Sequence, residues 1–334
     1  MNPRSLTDKI ILKRQVYASD QEVRWCPGCG DYAILATVQK TLPLLNIPKE
    51  NIVFISGIGC SSRFPYYLDT FGFHTIHGRA PTIATGLKIT RPELTVFVVT
   101  GDGDGLSIGS NHLLHLMRRN VNVVVLLFNN RIYGLTKGQY SPTSELGKQT
   151  KTSPLGTLEQ NLEPLQFALG ADCSFIARCL DIDSSGLQEI LVAAVKHKGT
   201  SFIEILQNCN VFNDGAFKEI SDKLSRAQQS IFIKPGSPMI FGQGRDHALI
   251  LEEGLLKTNT IDEAVKPYVH TTDMPKNILC QLVAMKPPKF PLVTGILRQQ
   301  ERSVFEEELD KRFVTKPTPI VQNLLYQNST WKVD

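Results

Sequence analysis

Four runs of this chain are apolar almost without interruption: NIVFIS (51–56), LTVFVVT (94–100), VNVVVLLF (121–128) and TSFIEIL (200–206). Each is of strand length and none alternates polar with apolar residues, so neither face of such a strand is suited to water. Helical patterning fills the spaces between them. DYAILATVQKTL (31–42) stops near Pro43, and RAPTIATGLKI (79–89) follows the first strand. IGSNHLLHLMRRN (108–120) offers Ile108, Leu113, Leu116 and Met117 as an inner face. LEPLQFALG (162–170) and LQEILVAAVKHKG (187–199) flank a further strand, CSFIARC (173–179). Strands separated by helices in this way imply a sheet covered on both faces. The expected fold is α/β, a doubly wound, mostly parallel sheet. Beyond residue 216 the rhythm fades: Pro and Gly punctuate KPGSPMIFGQG (234–244), and a charged helix, QQERSVFEEELDKRF (299–313), comes late. Residues 1–215 are read as one domain and 216–334 as a less regular C-terminal extension that wraps the core or a partner subunit.

In such a fold ligands bind beyond the carboxyl ends of the strands, and the special residues of this chain sit there. The first strand runs into GIGCSSR, with Cys60 and Arg63, and the second into GDGDG, with Asp102. The third runs into NNRIYGLTKGQ, with Asn130 and Lys137, and TSFIEIL into QNCN, with Cys209. Asp102 and Asn130 are 28 residues apart, at the ends of the two strands of one βαβ unit. A carboxylate, an amide oxygen and the main-chain carbonyl of Ile132 can then meet around one hard cation. Mg²⁺ suits such a set, because it takes few protein ligands and fills the rest with phosphate and water. Glycines 101, 103 and 105 let the backbone approach a phosphate, with a helix N-terminus behind it.

WCPGCG (25–30) carries Cys26 and Cys29 in a glycine-rich turn. Alone, the pair reads as a redox dithiol or half of a zinc site ahead of two ligands of an iron–sulfur cluster. With Cys60 and Cys209 at the same rim, four thiolates suit either Zn²⁺ or a cluster. Cys173, Cys179 and Cys280 fall outside these motifs and are read as structural. Seven cysteines make no disulfide scaffold in a chain of 334 residues, and MNPRSLTDKIILKRQ lacks the form of a secretory signal. A cytoplasmic protein with reduced thiols is expected. A net charge of +4 gives no reason to expect nucleic acid, and no apolar run is long enough to span a membrane.

GDG, about 26 residues, then NN resembles the diphosphate-binding motif of thiamine diphosphate enzymes. The wider run GDGDGLSIGSNHLLHLMRRNVNVVVLLFNNRIYGLTKGQ, with WCPGCG, GIGCSSR, HGR and NCNVFNDGAF, resembles the β subunit of 2-oxoacid:ferredoxin oxidoreductases over about residues 20–220. YGLTKGQ and FNDGAF lean toward the 2-oxoglutarate type. The resemblance implies a thiamine-diphosphate fold with Mg²⁺ on Asp102, Asn130 and Ile132. It puts Gly103, Asp104, Gly134 and Leu135 around the diphosphate, with Ile58, Gly59, Cys60, Ser61 and His77 lining the cofactor. It implies one [4Fe–4S] cluster on Cys26, Cys29, Cys60 and Cys209, and Arg63 and Lys137 as cations for substrate carboxylates. The implied reaction is oxidative decarboxylation of 2-oxoglutarate with coenzyme A to succinyl-CoA and CO₂, with electrons passing to ferredoxin. The glutamate that activates the thiamine would come from a separate α subunit, giving an αβ heterodimer, singly or doubled. Two rivals share parts of the pattern. A non-oxidative thiamine decarboxylase needs no converging cysteines, and a zinc-stabilised, non-catalytic binding subunit needs no Mg²⁺ loop. A β subunit with a broad 2-oxoacid range is the alternative within the family.

Overall fold

Continuous apolar runs become the interior of one large sheet. The structure, a computed structural model, describes residues 14–314 and Trp331. The signal-sequence reading of residues 1–13 and the end of the C-terminal extension lie outside the described residues. In chain order the strands are β1 (Ile52–Ser56), β2 (Phe71–His74), β3 (Thr95–Gly101), β4 (Val124–Asn129), β5 (Phe175–Leu180) and β6 (Ser201–Leu206). They continue with β7 (Ser230–Ile233), β8 (Ile240–Phe241), β9 (His247–Glu252), β10 (Leu255–Thr260) and β11 (Leu292–Gln299). Eight of them form a sheet in the order β2-β1-β3-β4-β6-β5-β11-β7, and β10-β9-β8 form a small antiparallel one.

From β2 to β5 all neighbours are parallel. β11 runs antiparallel to β5, and β7 lies parallel to β11 at the edge. Every residue of β1, β4, β5 and β6 is buried, as their lack of alternation requires. Two apolar cores result. On one face Val53, Ile55, Val96 and Val98 pack with Ala80, Ala84, Leu113, Leu116 and Met117 from the helices Ala80–Thr90 and Ser110–Arg119. On the other, Phe54, Phe97 and Phe128 pack with Ile34, Val38, Ile190 and Leu191 from the helices Asp31–Thr41 and Ser184–Lys196.

Three features depart from the sequence reading. Ile108, expected on the inner face of its helix, is 53% exposed. The α-helix begins only at Ser110, and residues 104–108 form a π turn whose Ser107 is non-helical, which turns Ile108 outward. β2 is the short exposed strand FGFH, without the apolar run that marks the others. Residues 216–334 contribute β7 and β11 to the main sheet. Cys173 and Cys179 are buried, whereas Cys280 is exposed on the helix Lys276–Ala284.

Chain direction across the sheet changes at β1, which pairs with β2 on one side and β3 on the other. The crevice beyond the carboxyl ends of β1 and β3 is the topological switch point, the place where such sheets bind ligands.

Candidate active site

A cavity of about 340 Å³ opens at that crevice. Its walls come from three strand ends: Ile58–Ser61 after β1, Gly101–Asp104 after β3, and Asn130 with Ile132–Leu135 after β4. His77, from the loop after β2, closes one side. Every residue expected at the thiamine and Mg²⁺ sites lines this one cavity.

Asp102 is buried, and the hydroxyls of Ser141 and Thr143 donate to its Oδ2 at 2.5 and 2.6 Å. Burial raises its pKa, and the two hydroxyls oppose the rise. Asn130 Oδ1 accepts the main-chain N–H of Ile132 at 3.1 Å, which folds the loop so that the Asn130 side chain and Ile132 face the cavity together. An amide oxygen has two lone pairs, so one is left for a cation. Tyr133 ties the two loops by donating its hydroxyl to the carbonyl of Gly103 at 2.8 Å. A Cβ at Gly103 would lie 2.2 Å from the Tyr133 ring, so only glycine admits this contact.

The Asp104 side chain faces the protein. Its Oδ1 accepts from the main-chain N–H groups of Ile58 and Gly78 at 3.0 and 2.7 Å and from His77 Nδ1 at 2.6 Å. Its Oδ2 accepts from the Thr100 hydroxyl at 2.6 Å. Asp104 therefore holds the loops after β1, β2 and β3 together and fixes the imidazole of His77 at the cavity wall. A Cβ at Gly57 would lie 2.0 Å from Asp104 Oδ2, which accounts for the first glycine of GIGC.

A smaller cavity of about 130 Å³ adjoins the first and is lined by Cys26, Cys29, Cys60 and Cys209. The two share Asp31, Cys60, Asn130, Gly134, Leu135 and Gln207 as common walls. Hydrogen bonds stitch the three cysteine loops together. Trp25 Nε1 donates to the carbonyl of Cys60 at 2.7 Å, Asn210 Nδ2 to that of Pro27 at 2.6 Å, and Gly30 N to that of Asn208 at 3.2 Å. Gly28 has φ +80°, the left-handed conformation that lets Cys29 N reach back to Cys26 O at 3.1 Å. A Cβ on Gly134 would stand 3.6 Å from the Sγ atoms of both Cys60 and Cys209, so the glycine loop after β4 lies alongside the thiols.

Burial, the neighbouring Asp31 and the other thiols push Cys60 up to about 12 and raise Cys29 well above the ordinary thiol value. Both are neutral thiols at pH 7, and a metal would take them as thiolates with release of protons. Among the described residues no three His, Cys, Asp or Glu side chains close on a single metal ion. The four thiols line one small cavity, a donor set of the kind that soft metals take.

Arg63 and Lys137 line the cysteine cavity and are absent from the walls of the larger one. Arg63 Nη1 donates to the carbonyl of Arg24 at 3.2 Å, and Arg63 also lines an open groove that shares Ile58, Gly59 and Leu135 with the larger cavity. Lys137 is exposed at the tip of its loop with φ +82°.

Residues 57–205 match the family model "Thiamine pyrophosphate enzyme, C-terminal TPP binding domain". The 2-oxoglutarate oxidoreductase subunit KorB of Mycobacterium tuberculosis is 49% identical over 332 residues, covering 96% of this chain and 89% of that protein. The chain is a β subunit of the 2-oxoacid:ferredoxin oxidoreductase family. Subunit beta of 2-oxoacid:ferredoxin oxidoreductase 1 from Aeropyrum pernix is 47% identical over 190 residues, covering 57% of this chain and 60% of that one. Among solved structures, a 2-oxoglutarate:ferredoxin oxidoreductase from Magnetococcus marinus, with 2-oxoglutarate, coenzyme A and succinyl-CoA bound, superposes with a TM-score of 0.77. That match has 30% identity and covers 97% of this chain and 98% of that chain. The mostly parallel α/β fold is thus that of a thiamine pyrophosphate oxidoreductase subunit.

Sequence reasoning misses five wall or support residues of this family member: Asp31, Tyr133, Ser141, Thr143 and Gln207. Asp31 is the most conspicuous. It is 1% exposed, its carboxylate oxygens have no hydrogen-bond partner besides the Cys29 thiol next to it, and it lines both cavities. Burial, with Asp181 nearby, pushes it up to about 7. Its position next to CPGCG was visible, but nothing in the sequence says that the first residue of a helix is buried. Ser141 and Thr143 sit in QYSPTSE, a loop-like run whose role appears only once it folds back onto Asp102. No helix among the described residues is long and apolar enough to cross a membrane.

Proposed function

We propose that this chain is the cofactor-bearing half of a cytoplasmic 2-oxoglutarate:ferredoxin oxidoreductase, converting 2-oxoglutarate, coenzyme A and oxidised ferredoxin to succinyl-CoA, CO₂ and reduced ferredoxin. Residues 1–215 form the thiamine-binding domain and 216–334 an extension of it. The observation that carries the reading is the shared wall. A cavity with a carboxylate, an amide oxygen and glycine loops abuts a cavity of four thiols, through Cys60, Asn130 and Gly134.

Thiamine diphosphate, held through Mg²⁺, supplies the decarboxylating chemistry when bound, and a [4Fe–4S] cluster supplies the electron acceptor beside it. This chain's residues have the donor sets for both. Asp102, Asn130 and the carbonyl of Ile132 would hold Mg²⁺, with Gly103, Asp104, Gly134 and Leu135 around the diphosphate. Cys26, Cys29, Cys60 and Cys209 would hold the cluster. Ser141 and Thr143 keep Asp102 oriented, and Asp104 keeps His77 at the wall, where its imidazole can hold or give a proton. Arg63, where the thiol cavity meets the open groove, and Lys137, on the thiol cavity, would bind the carboxylates of a dianionic substrate.

No glutamate lines the larger cavity. Among the described residues of the wall no carboxylate is placed as the group that activates the thiamine ring, which supports an α subunit set across the cavity mouth as its source. Coenzyme A and ferredoxin complete the set of partners.

The test is turnover of the chain co-expressed with its α partner, read as ferredoxin reduction with 2-oxoglutarate or pyruvate. The expected result is a preference for 2-oxoglutarate, with Arg63→Met and Lys137→Met each raising KM by roughly tenfold, the cost of one charge-assisted hydrogen bond. Full activity in Asp102→Ala would contradict the metal assignment.

A further inference from the structure

Next to the metal carboxylate, but on the other side of the strand ends, lies a separate cavity of about 330 Å³ that shares no wall residue with either of the two above. Its floor is the end of β4, β5 and β6, and its roof is formed by residues 161–164, 215–220 and 283–287. The alternation of the chain after β4 explains the separation: Asn130 and Ile132 face the thiamine cavity, whereas Asn129 and Arg131 face this one. At about 30 Å³ per water, the space is worth roughly eleven water molecules, enough for a small metabolite.

Its floor carries a charge pair that the fold does not require. Arg178 on β5 and Glu204 on β6 are cross-strand neighbours, 3% and 2% exposed, in strands whose other buried side chains are mostly apolar. Arg178 Nε donates to Glu204 Oε2 at 2.7 Å. Burying such a pair costs desolvation energy that an apolar pair would avoid. Glu204 has a further use: its Oε1 accepts from Asn129 Nδ2 at 2.7 Å. The Thr143 hydroxyl lies 3.0 Å from Asn129 Oδ1 and 2.6 Å from Asp102 Oδ2. The hydrogen-bonded chain from Arg178 thus reaches Asn129, whose Oδ1 competes with Asp102 for the single Thr143 proton. Arg178 is left incomplete in it, because its buried Nη1 has no hydrogen-bond partner.

The other charges on the wall narrow what would complete it. Arg131 is engaged by Glu145 at 2.5 Å and by the face of Phe217 at 4.6 Å, and Lys286 by Glu163 at 3.5 Å. Lys218 and Glu219 line the cavity and form no ion pair among the described residues, which limits the site to a ligand of low charge. A planar guanidinium and an ammonium on the walls of one cavity are suited to carboxylate or phosphate oxygens.

We propose that this cavity is a second binding site, for a small molecule bearing one carboxylate or phosphate group, seated on Arg178 and Lys218.

The site is tested by calorimetric titration of the full-length chain with sodium phosphate and, separately, with succinate, each in the presence and absence of thiamine diphosphate and Mg²⁺. Ligand held in the thiamine cavity is displaced by the cofactor, so the signal sought is the one that persists in both conditions. The expected result is saturable binding of at least one anion at about 1 mM or tighter, with the responding anion identifying the recognised group. Lys218→Met, at an exposed position, should weaken it by about tenfold. The double variant Arg178→Met, Glu204→Met removes both members of the buried pair, leaves no lone charge and should abolish it. If the double variant fails to fold, Lys218→Met decides alone. No saturable binding of either anion, or binding that the variants leave unchanged, overturns the proposal.

Discussion

Asp102 and Asp104 stand two residues apart in GDGDG and differ in what they face. Asp104 spends its carboxylate on Ile58, Gly78, His77 and Thr100, all of them protein groups. Asp102 receives two hydroxyls on one oxygen and lines the cavity. The two alanine variants should therefore separate cleanly. Asp104→Ala strands buried donors at about 1–3 kcal/mol each and should lower the melting temperature of the cofactor-free chain markedly. Asp102→Ala removes a buried carboxylate and should leave that melting temperature nearly unchanged while abolishing retention of thiamine diphosphate. Thermal melts and cofactor retention after gel filtration check both, and the reverse pattern would mean the roles are exchanged. Spacing and resemblance assign Asp102 to the metal and Asp104 to the surroundings of the diphosphate, but they do not show that Asp104 ties three loops together. Glycine spacing marks the loop, but which carboxylate turns inward depends on contacts with residues 58, 78 and 100, contributed by other segments. Tyr133→Phe is a finer probe: loss of its bond to the Gly103 carbonyl should cost about 1 kcal/mol of stability.

At the scale of elements, the strands with unbroken apolar runs and the helices between them were legible because burial on both faces forces the pattern. The elements that escaped have weaker signatures. β2 is exposed along its length, and β11 reads as an ordinary Pro-flanked segment until it pairs with β5 and β7. Where the pattern is strong, packing is too: the rings of Phe54 and Phe97 stack at 4.6 Å, both fully buried. Phe54→Ala should cost about 3–5 kcal/mol of stability by denaturant unfolding. The helix Ser184–Lys196 ends at His197, whose Nε2 lies 2.7 Å from the Ser174 hydroxyl. Burial lowers its pKa from 6.5 to about 4. The folded state favours the neutral ring, so its stability is intact above pH 6.5 and is lost as the pH falls from 6.5 toward 4. The loss amounts to roughly 3 kcal/mol at its fullest. His197→Gln should flatten this part of the stability–pH curve, which unfolding at pH 7.5 and 4.5 would reveal.

For the whole molecule, the convergence of four cysteine-bearing or polar loops at one rim was readable in advance, because each special residue follows a recognisable strand; the switch point was not, because β2 sets it. Adjacency of the two sites was expected, since Cys60 belongs to both, but the wall they share also draws on Asp31 and Gln207, which no motif marks. Nor did Arg63 and Lys137 reveal from sequence that they stand on the thiol side of that wall. The central claim is that the thiol cavity holds an electron acceptor beside the thiamine site. Anaerobic purification with the α partner, followed by iron, sulfide and zinc analysis and a visible spectrum, tests it most directly. The account predicts about four irons and four sulfides per chain on cysteine thiolates, with a chromophore bleached by 2-oxoglutarate plus coenzyme A and lost in Cys209→Ser. Stoichiometric zinc with no iron and no chromophore would contradict it.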